Sequence, residues 1–489
     1  MKHAALDCPF IIGSAPASIK AMMDLPRALP RSFPHFFPGT FARLAAFLLA
    51  LTGLMMASTA QAQSILRDAE TEKLLDDMSA PIIQAAGLQP RNVKIVLVND
   101  KDINAFVAGG QIVYIHSGLI TAADNANEVQ GVIAHELGHI TGGHIIRYYD
   151  GAKQATAISL LSMLAGIAAA AAGAGEAGMA AMALGQQAAY TNMMSFSQTQ
   201  EASADAAGAT YLAGAGVSGK GSIAFFKKLQ NLEYRYNAGM RGDGYGRTHP
   251  MTGERIQRLS DGYQKDPAWE KATDPALEAR FQRAKAKLIG YVEEPARTLQ
   301  LYPERDQSVP GHYARAYAWH KSAYPDKAMA EVNALAKRLP DDPYVLELQG
   351  QVLLESGRPK ESLAPLRRAV ALSNNQPLIA ATFGHALIAT EDSTNFAEAT
   401  RILKNAVARD NDNPFAWYQL GVVYQQQGDE PRAALATAER YNLEGQHRLA
   451  LPNAETAMAG LPAHSADWLR AQDIAMVARA EIARDKKRK

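Results

Sequence analysis

The 489-residue sequence predicts a mainly α-helical protein, in which a helical domain with a small β-sheet is followed by an array of helical repeats. Three observations support this fold class. A His-Glu-x-x-His pattern at 135–139 lies in an apolar segment that we interpret as a helix. An alternating run of β-branched residues at 111–115 indicates a short strand before it. The last third of the chain repeats its Pro and Gly positions at intervals near the 34-residue period of paired-helix repeats.

The pattern at 135–139 has the spacing of a metal-binding helix. His135 and His139 are four residues apart, so both imidazoles lie on one helix face and can reach the same ion. Glu136 lies about 100° further round the helix, where a carboxylate can act on a water molecule at the metal. The alternative is a helix on which the two His residues only pack or cap. We expect His135 and His139 to bind one metal ion and Glu136 to act as a base toward a water molecule at that ion.

A catalytic zinc site needs a third protein ligand, because such sites use three and leave the fourth position open. His144 lies one position short of the spacing at which a third His can follow, so we expect it to pack or hydrogen-bond locally. Glu201 and Asp205 are again four residues apart, in an Ala-rich helical segment. Glu201 could bind the metal while Asp205 accepts the free ring N–H of a ligand His. The alternative is an ordinary solvated helix face.

These motifs resemble those of the HtpX and CAAX-prenyl-endopeptidase group of gluzincin zinc peptidases. The resemblance includes residues 104–119, similar to the strand pair that the family places before its zinc helix, and the later Thr248-His249-Pro250. It extends from about residue 65 into the C-terminal region, as in a periplasmic branch that continues into tetratricopeptide repeats. Gln198 and Ser203 depart from the family pattern, which puts peripheral charge pairs in doubt but not the metal site.

The resemblance implies a catalytic centre with one Zn²⁺ per chain. It makes His135, His139 and Glu201 the zinc ligands, Glu136 the general base, and Asp205 the carboxylate that orients a ligand His.

The resemblance also implies a catalytic role for His249. This residue would be a switch ligand that occupies the open metal position and holds the enzyme off, or a donor to the oxyanion. The alternative is a turn residue before Pro250, since a residue that precedes Pro is biased toward extended backbone.

The strand predicted at 111–115 is expected to form an edge of the sheet. An extended substrate backbone could pair with such an edge through main-chain hydrogen bonds, with little demand on its sequence. That mode of binding suits a peptidase that acts on unfolded segments.

An export signal is predicted over residues 1–62, with an unusually long N-terminal region. Residues 44–57 form an apolar run after Arg43, and Ala60-Gln61-Ala62 has the small-x-small pattern of a cleavage site. The run is shorter than the roughly 20 residues that a membrane span needs. We therefore expect a periplasmic protein. The single Cys, Cys8, would be removed with the signal, and the formal net charge of +1 argues against a nucleic-acid partner.

A second apolar stretch, at 155–189, is rich in Ala and Gly and contains Glu176. These residues lower its hydrophobicity below that of a Leu-rich membrane span. We predict a helix-loop-helix flap near the cleft, with a peripheral membrane-surface contact as the alternative.

Paired-helix repeats are predicted in the last third of the chain. Pro343, Pro377 and Pro414 are 34 and 37 residues apart, and a Gly follows each of them by seven residues. Three inserted residues around 391–395 explain the longer interval, and a degenerate earlier unit begins at Pro310. Such units complete their cores only against neighbours and present a concave surface to a protein partner.

The predicted domains are a zinc metallopeptidase domain at 63–265, a helical connector at 266–309, tetratricopeptide repeats at 310–480 and a basic tail at 481–489, whose last residues, 486–489, are expected to be disordered. The predicted function is that of a periplasmic zinc metalloendopeptidase that cleaves misfolded or misassembled envelope proteins. The resemblance adds a chaperone-like role in outer-membrane protein assembly, with the assembly machinery as a partner of the repeats. The alternative is a repeat-based assembly factor whose zinc site is structural or rarely catalytic. Glu136 distinguishes the two, because a structural zinc site needs no carboxylate beside an open coordination position.

Overall fold

The computed structural model describes residues 11–14, 64–171, 175–237, 249 and 253–488. The apolar run and cleavage site of the predicted export signal lie outside these residues. Most of the described chain is helical, and its one sheet lies in the N-terminal part. The prediction of a mainly α protein with a small sheet and helical repeats is confirmed.

The sheet contains five strands in the order β1-β2-β3-β5-β4. β3 and β5 are parallel, and the other neighbouring pairs are antiparallel. The strands are β1 (Ile11–Ser14), β2 (Ser64–Arg67), β3 (Lys94–Asn99), β4 (Ala105–Ala108) and β5 (Ile112–His116).

The predicted edge strand is wrong. β5 lies between β3 and β4, so the free edge at this end of the sheet belongs to β4. The reason is the hairpin turn at Gly109 and Gly110, which both have positive φ, of 63° and 99°. That turn folds β4 back along β5, and the parallel partner β3 occupies the other side.

Seven α-helices are described in the N-terminal part of the chain. Asn125 caps α3 by accepting a hydrogen bond from the backbone N–H of Glu128, as N-cap residues do. The apolar faces of α1, α3 and α6 and one face of the sheet share a single core. The helices are α1 (Ala69–Ala85), α2 (Ser117–Ala122), α3 (Ala126–Thr141), α4 (His144–Ala171), α5 (Gly175–Gly214), α6 (Lys220–Asn237) and α7 (Gly253–Tyr263).

Two glycines bring α3 and α5 into backbone contact. A Cβ at Gly138 would lie 2.6 Å from the carbonyl oxygen of Ala204, and one at Gly208 would lie 3.1 Å from the backbone of Ala134. This close approach places residues 135–139 beside residues 201–205. The two segments are far apart in the sequence, which by itself does not predict that they are in contact.

α4 and α5 form a long antiparallel hairpin that contains the predicted helical flap. Among the described residues, only His144–Ala169 is long and apolar enough to cross a membrane, with a mean hydropathy of 1.3. Most of its large apolar side chains are exposed.

The C-terminal part consists of helix pairs. Two connector helices, α8 (Pro275–Val292) and α9 (Pro295–Leu301), lead into five hairpins. These are α10 (Val309–Lys321) with α11 (Pro325–Arg338), α12 (Pro343–Glu355) with α13 (Pro359–Leu372), α14 (Pro377–Ala389) with α15 (Phe396–Arg409), α16 (Pro414–Gln426) with α17 (Glu430–Leu443), and α18 (His447–Gly460) with α19 (Ala466–Arg488). The prediction of disorder is wrong over residues 486–488, which continue α19.

The repeated Pro and Gly residues have the expected structural positions. Each repeated Pro begins a helix, where its missing N–H costs no hydrogen bond. Gly350 and Gly384 lie where the paired helix approaches, and a Cβ there would collide with Leu366 and Leu403. Gly357 has a φ of 76° and turns the chain between α12 and α13.

A buried ionic junction joins the N-terminal domain, the connector and the repeats. Lys287 of α8 is fully buried and pairs with Asp68 and, at 3.6 Å, with Glu70. Arg283 pairs with Glu70 and with Asp342 of the repeats, the latter at 2.7 Å. We call Asp68, Glu70, Arg283, Lys287, Asp342 and Glu347 the junction cluster.

Candidate metal centre and active site

The predicted ligand residues come together in one buried cluster. His135, His139, Glu201 and His249 each offer one ligand atom, and these four atoms lie within 4.8 Å of one another. The Nε2 atoms of His135 and His139 are 3.1 Å apart. Glu201 places one carboxylate oxygen 3.4 Å from His135 Nε2 and the other 3.3 Å from His139 Nε2.

Asp205 fixes the orientation of His135. The Nδ1–H of His135 donates to Asp205 Oδ1 at 3.0 Å, which directs Nε2 at the cluster. Burial acts to raise the pKa of Asp205, but hydrogen bonds from Arg255 and His135 hold it at about 2. Asp205 is therefore a carboxylate at neutral pH, as an acceptor for a ring N–H must be.

Arg255 completes this arrangement and was not foreseen from the sequence. Its Nε and Nη2 atoms donate to the two oxygens of Asp205 at 2.5 and 2.7 Å, and Nη2 lies 3.0 Å from Glu201 Oε2. Arg255 therefore holds both carboxylates of α5 in place. The signal that could have found it is its position in α7, six residues after His249.

His144 packs next to the cluster and not in it, as expected. Its Nδ1 lies 3.0 Å from Nδ1 of His139, on the side of that ring away from the cluster. Gly142 and Gly143 end α3 and turn the chain between the two residues.

His249 lies inside the cluster. Its Nδ1 is 2.9 Å from Glu201 Oε1 and 3.2 Å from His135 Nε2, and the side chain is buried. Burial lowers the pKa of His249, so the ring is neutral at pH 7 and has a lone pair for a metal. Its neighbours Thr248 and Pro250 lie outside the described residues.

Among the acidic side chains of the site, Glu136 is distinguished by an oxygen, Oε1, that has no hydrogen-bond partner in the described part of the chain. Its Oε1 is fully buried without a donor and lies 3.7 Å from His249 Nε2. Burial raises the pKa of this carboxyl, which makes it a better proton acceptor than an exposed Glu. Glu136 thus faces the position that His249 fills.

The cluster fits a metal ion better than a set of hydrogen bonds. Three imidazole nitrogens converge at 3.1 to 3.2 Å around one carboxylate. Atoms bound at 2.0–2.1 Å to a tetrahedral ion are about 3.3 Å apart, close to these separations. Two imidazoles and a carboxylate also form the ligand set of a well-known class of catalytic zinc sites. The residues present therefore fit a single ion with nitrogen and oxygen ligands.

Residues 67–262 match the sequence pattern of peptidase family M48. The β-barrel assembly-enhancing protease of Yersinia pestis is 24% identical over 361 residues, which cover 72% of this chain and 71% of that protein. The protein of the same name from Escherichia coli K12 is 24% identical over 360 residues, with the same coverage. The metalloprotease LoiP of E. coli K12 is 33% identical over 178 residues, which cover 36% of this chain and 65% of LoiP.

Among solved structures, the tetratricopeptide-repeat protein YrrB matches 36% of this chain and 92% of its own, at 21% identity and a TM-score of 0.29. The repeat assignment depends on the helix hairpins described above. For the N-terminal part, the family match and the arrangement of His, Glu and Asp side chains agree. Residues 67–262 form a peptidase family M48 domain, which makes this chain a metalloendopeptidase.

Proposed function

We propose that this chain is a zinc-dependent endopeptidase of the periplasm, held latent by His249, that cleaves misfolded or misassembled envelope proteins. The observation that carries the proposal is the buried, unpartnered Oε1 of Glu136 beside the four-residue cluster. A buried polar atom without a partner is costly, and in a native protein it points to a functional requirement. A structural zinc site has no such requirement.

His135, His139 and Glu201 are the proposed zinc ligands, and Asp205 with Arg255 positions His135 and Glu201. Bound zinc would polarise a scissile carbonyl and lower the pKa of a water molecule toward about 7. Glu136 would take the proton of the attacking water and deliver it to the leaving amine. Burial raises the pKa of this carboxyl, which makes it a stronger proton acceptor than an exposed Glu.

His249 would control access to this chemistry. Its ring fills the space between Glu136 and the other ligands, with Nδ1 on the cluster and Nε2 toward Glu136. A substrate carbonyl and a water molecule need that space. Activity would therefore require the 249 segment to move away, after which the same ring could donate to the oxyanion.

The substrates and the compartment are proposed from the relatives and the sequence. The names of the Yersinia and E. coli relatives connect them to β-barrel assembly. Repeats of paired helices suit contacts with a protein partner, such as outer-membrane assembly machinery. Export with cleavage after Ala62 would remove β1, which would leave β2 as an edge strand.

We also propose the division into a signal at 1–62, a peptidase domain at 63–265, a connector at 266–309, repeats at 310–480 and a basic tail at 481–489. A repeat-based assembly factor remains the alternative function. It shares the repeats but gives no reason for the position of Glu136.

The test compares zinc content and casein cleavage of the mature wild type, Glu136→Gln and His249→Ala. We expect about one zinc in each, cleavage about 10²–10⁴-fold lower in Glu136→Gln, and higher cleavage in His249→Ala. His447→Ala, which removes an imidazole at the start of α18 and away from the cluster, is the control and should stay latent. Bound zinc with no cleavage that depends on Glu136 would instead support the assembly factor.

A further inference from the structure

The outer half of the α4–α5 hairpin exposes large apolar side chains. Leu161 and Leu184 are 67% and 71% exposed, and Met179 is 65% exposed. We call the large apolar side chains that are exposed in this half the apolar tip: Leu160, Leu161, Met163, Leu164, Ile167, Met179 and Leu184. Large apolar side chains exposed in such number on one hairpin point to a binding role.

The apolar tip is not used to hold the hairpin together. The two helices pack through small residues, with Gly166 against Met182 and Gly178, and Gly185 against Ser162. A hydrogen bond from Gln186 Nε2 to Ser159 Oγ, at 2.8 Å, adds a polar link. The large apolar side chains are therefore directed away from the helix contact, where another molecule can reach them.

The charges of the hairpin decide between two kinds of occupant. Between Lys153 and Glu201 the only charged residue is Glu176. A helix that lies on an anionic membrane carries Lys and Arg on its polar face, and this hairpin has none in its outer half. The second helix also carries Gln186 and Gln187, which are unfavourable in a bilayer core. An apolar polypeptide segment fits this surface better than a lipid surface.

The hairpin is continuous with the metal centre. α4 begins five residues after His139, and α5 carries Glu201 and Asp205 near its other end. A chain held on the apolar tip would therefore lie along the two helices that lead to the ligands. Met side chains in the surface, such as Met179, adapt to varied apolar partners because they are flexible.

We propose that the apolar tip binds exposed apolar segments of unfolded polypeptides and delivers them to the metal centre. The inference rests on the proposed function, because it assumes that unfolded proteins are the substrates. Its specificity would be for clustered apolar side chains in a flexible chain, without a required sequence.

The test measures binding separately from cleavage. Zinc-loaded Glu136→Gln protein is titrated into fluorescently labelled, reduced and carboxymethylated α-lactalbumin, which stays unfolded, and Kd is read from anisotropy. The double variant Leu161→Glu/Leu164→Glu, in the same background, should raise Kd at least about ten-fold, because it removes two apolar contacts. The matched control Gln154→Glu/Gln187→Glu adds the same charge at exposed polar positions of the hairpin and should leave Kd unchanged.

Zinc content and circular dichroism establish that each variant is folded, and Leu184→Glu, on the other helix, provides a second test. An unchanged Kd in both tip variants would overturn the proposal. A second result would also overturn it. If the wild type floats with phosphatidylethanolamine/phosphatidylglycerol vesicles, and the tip variants no longer float but keep the same Kd for the polypeptide, the apolar tip binds lipid. Failure of the proposed function appears separately, as no casein cleavage that depends on Glu136.

Discussion

The metal centre and the junction cluster both bury several acidic groups, but they balance the charge differently. At the junction, Lys287 and Arg283 lie among Asp68, Glu70 and Asp342 as permanent cations. At the metal centre, three imidazoles with titratable nitrogens converge on Glu201, and the one permanent cation among the described residues there, Arg255, lies to one side on Asp205 and Glu201. The junction cluster is a structural ion cluster, because its own cations balance its buried carboxylates. At the metal centre, several ligand atoms converge on one point, and a bound metal ion would supply the balancing charge there.

The first prediction concerns the loss of a buried cation from the junction cluster. Lys287→Met leaves Asp68 and Glu70 buried without their ammonium partner, so the protein should lose about 3–5 kcal/mol of unfolding free energy. Urea unfolding measures this loss, and zinc content should not change. Lys285→Met is the control on the same helix, because that ammonium group donates to the carbonyl of Ala123. A stability equal to the control would contradict the role of the junction cluster.

The second prediction concerns zinc affinity after a substitution at Asp205, which contacts a ligand but is not one itself. In Asp205→Asn, the side chain loses the charge that holds Arg255 and the Nδ1–H of His135. Zinc affinity should fall about 10–100-fold, a typical cost for an altered partner of a ligand His. Competition with a zinc chelator measures it. The stability of the metal-free protein should change much less than in Lys287→Met, and the reverse order would remove the distinction between the two clusters.

The third prediction concerns pH. Burial raises the pKa of Glu347 to about 8, and the carboxylates of Asp68 and Glu70 add to the effect while Lys287 opposes it. The folded protein therefore keeps this proton at pH values where the unfolded chain, with a pKa of 4.5, has released it. Stability should fall as pH rises from about 5 to about 8, by at most about 1.4 kcal/mol per pH unit. Urea unfolding across this range should show a shallower slope for Glu347→Gln; an unchanged slope would exclude Glu347 as the source.

Local spacing in the sequence was enough for the features that depend on one helix. The four-residue intervals of His135 with His139 and of Glu201 with Asp205 predicted shared faces, and both pairs lie together in the structure. The positions of Pro and Gly likewise predicted where the repeat helices begin and pack.

Features that depend on distant packing were not predictable in this way. Arg255 is far from Asp205 in the chain and reaches it only because α7 packs near α5. Strand order failed for the same reason, since the alternating pattern of β5 does not show which neighbours it pairs with. The junction cluster likewise joins residues from 68 to 347, a range that no local motif spans.

The most direct test of the metal centre is X-ray absorption at the zinc edge of the wild type and His249→Ala. We expect one zinc with nitrogen and oxygen ligands at about 2.0–2.1 Å, three imidazoles in the wild type and two in His249→Ala. Two imidazoles in both proteins would contradict the account of His249 as the residue that closes the site. A protein that binds no zinc would contradict the metal centre itself.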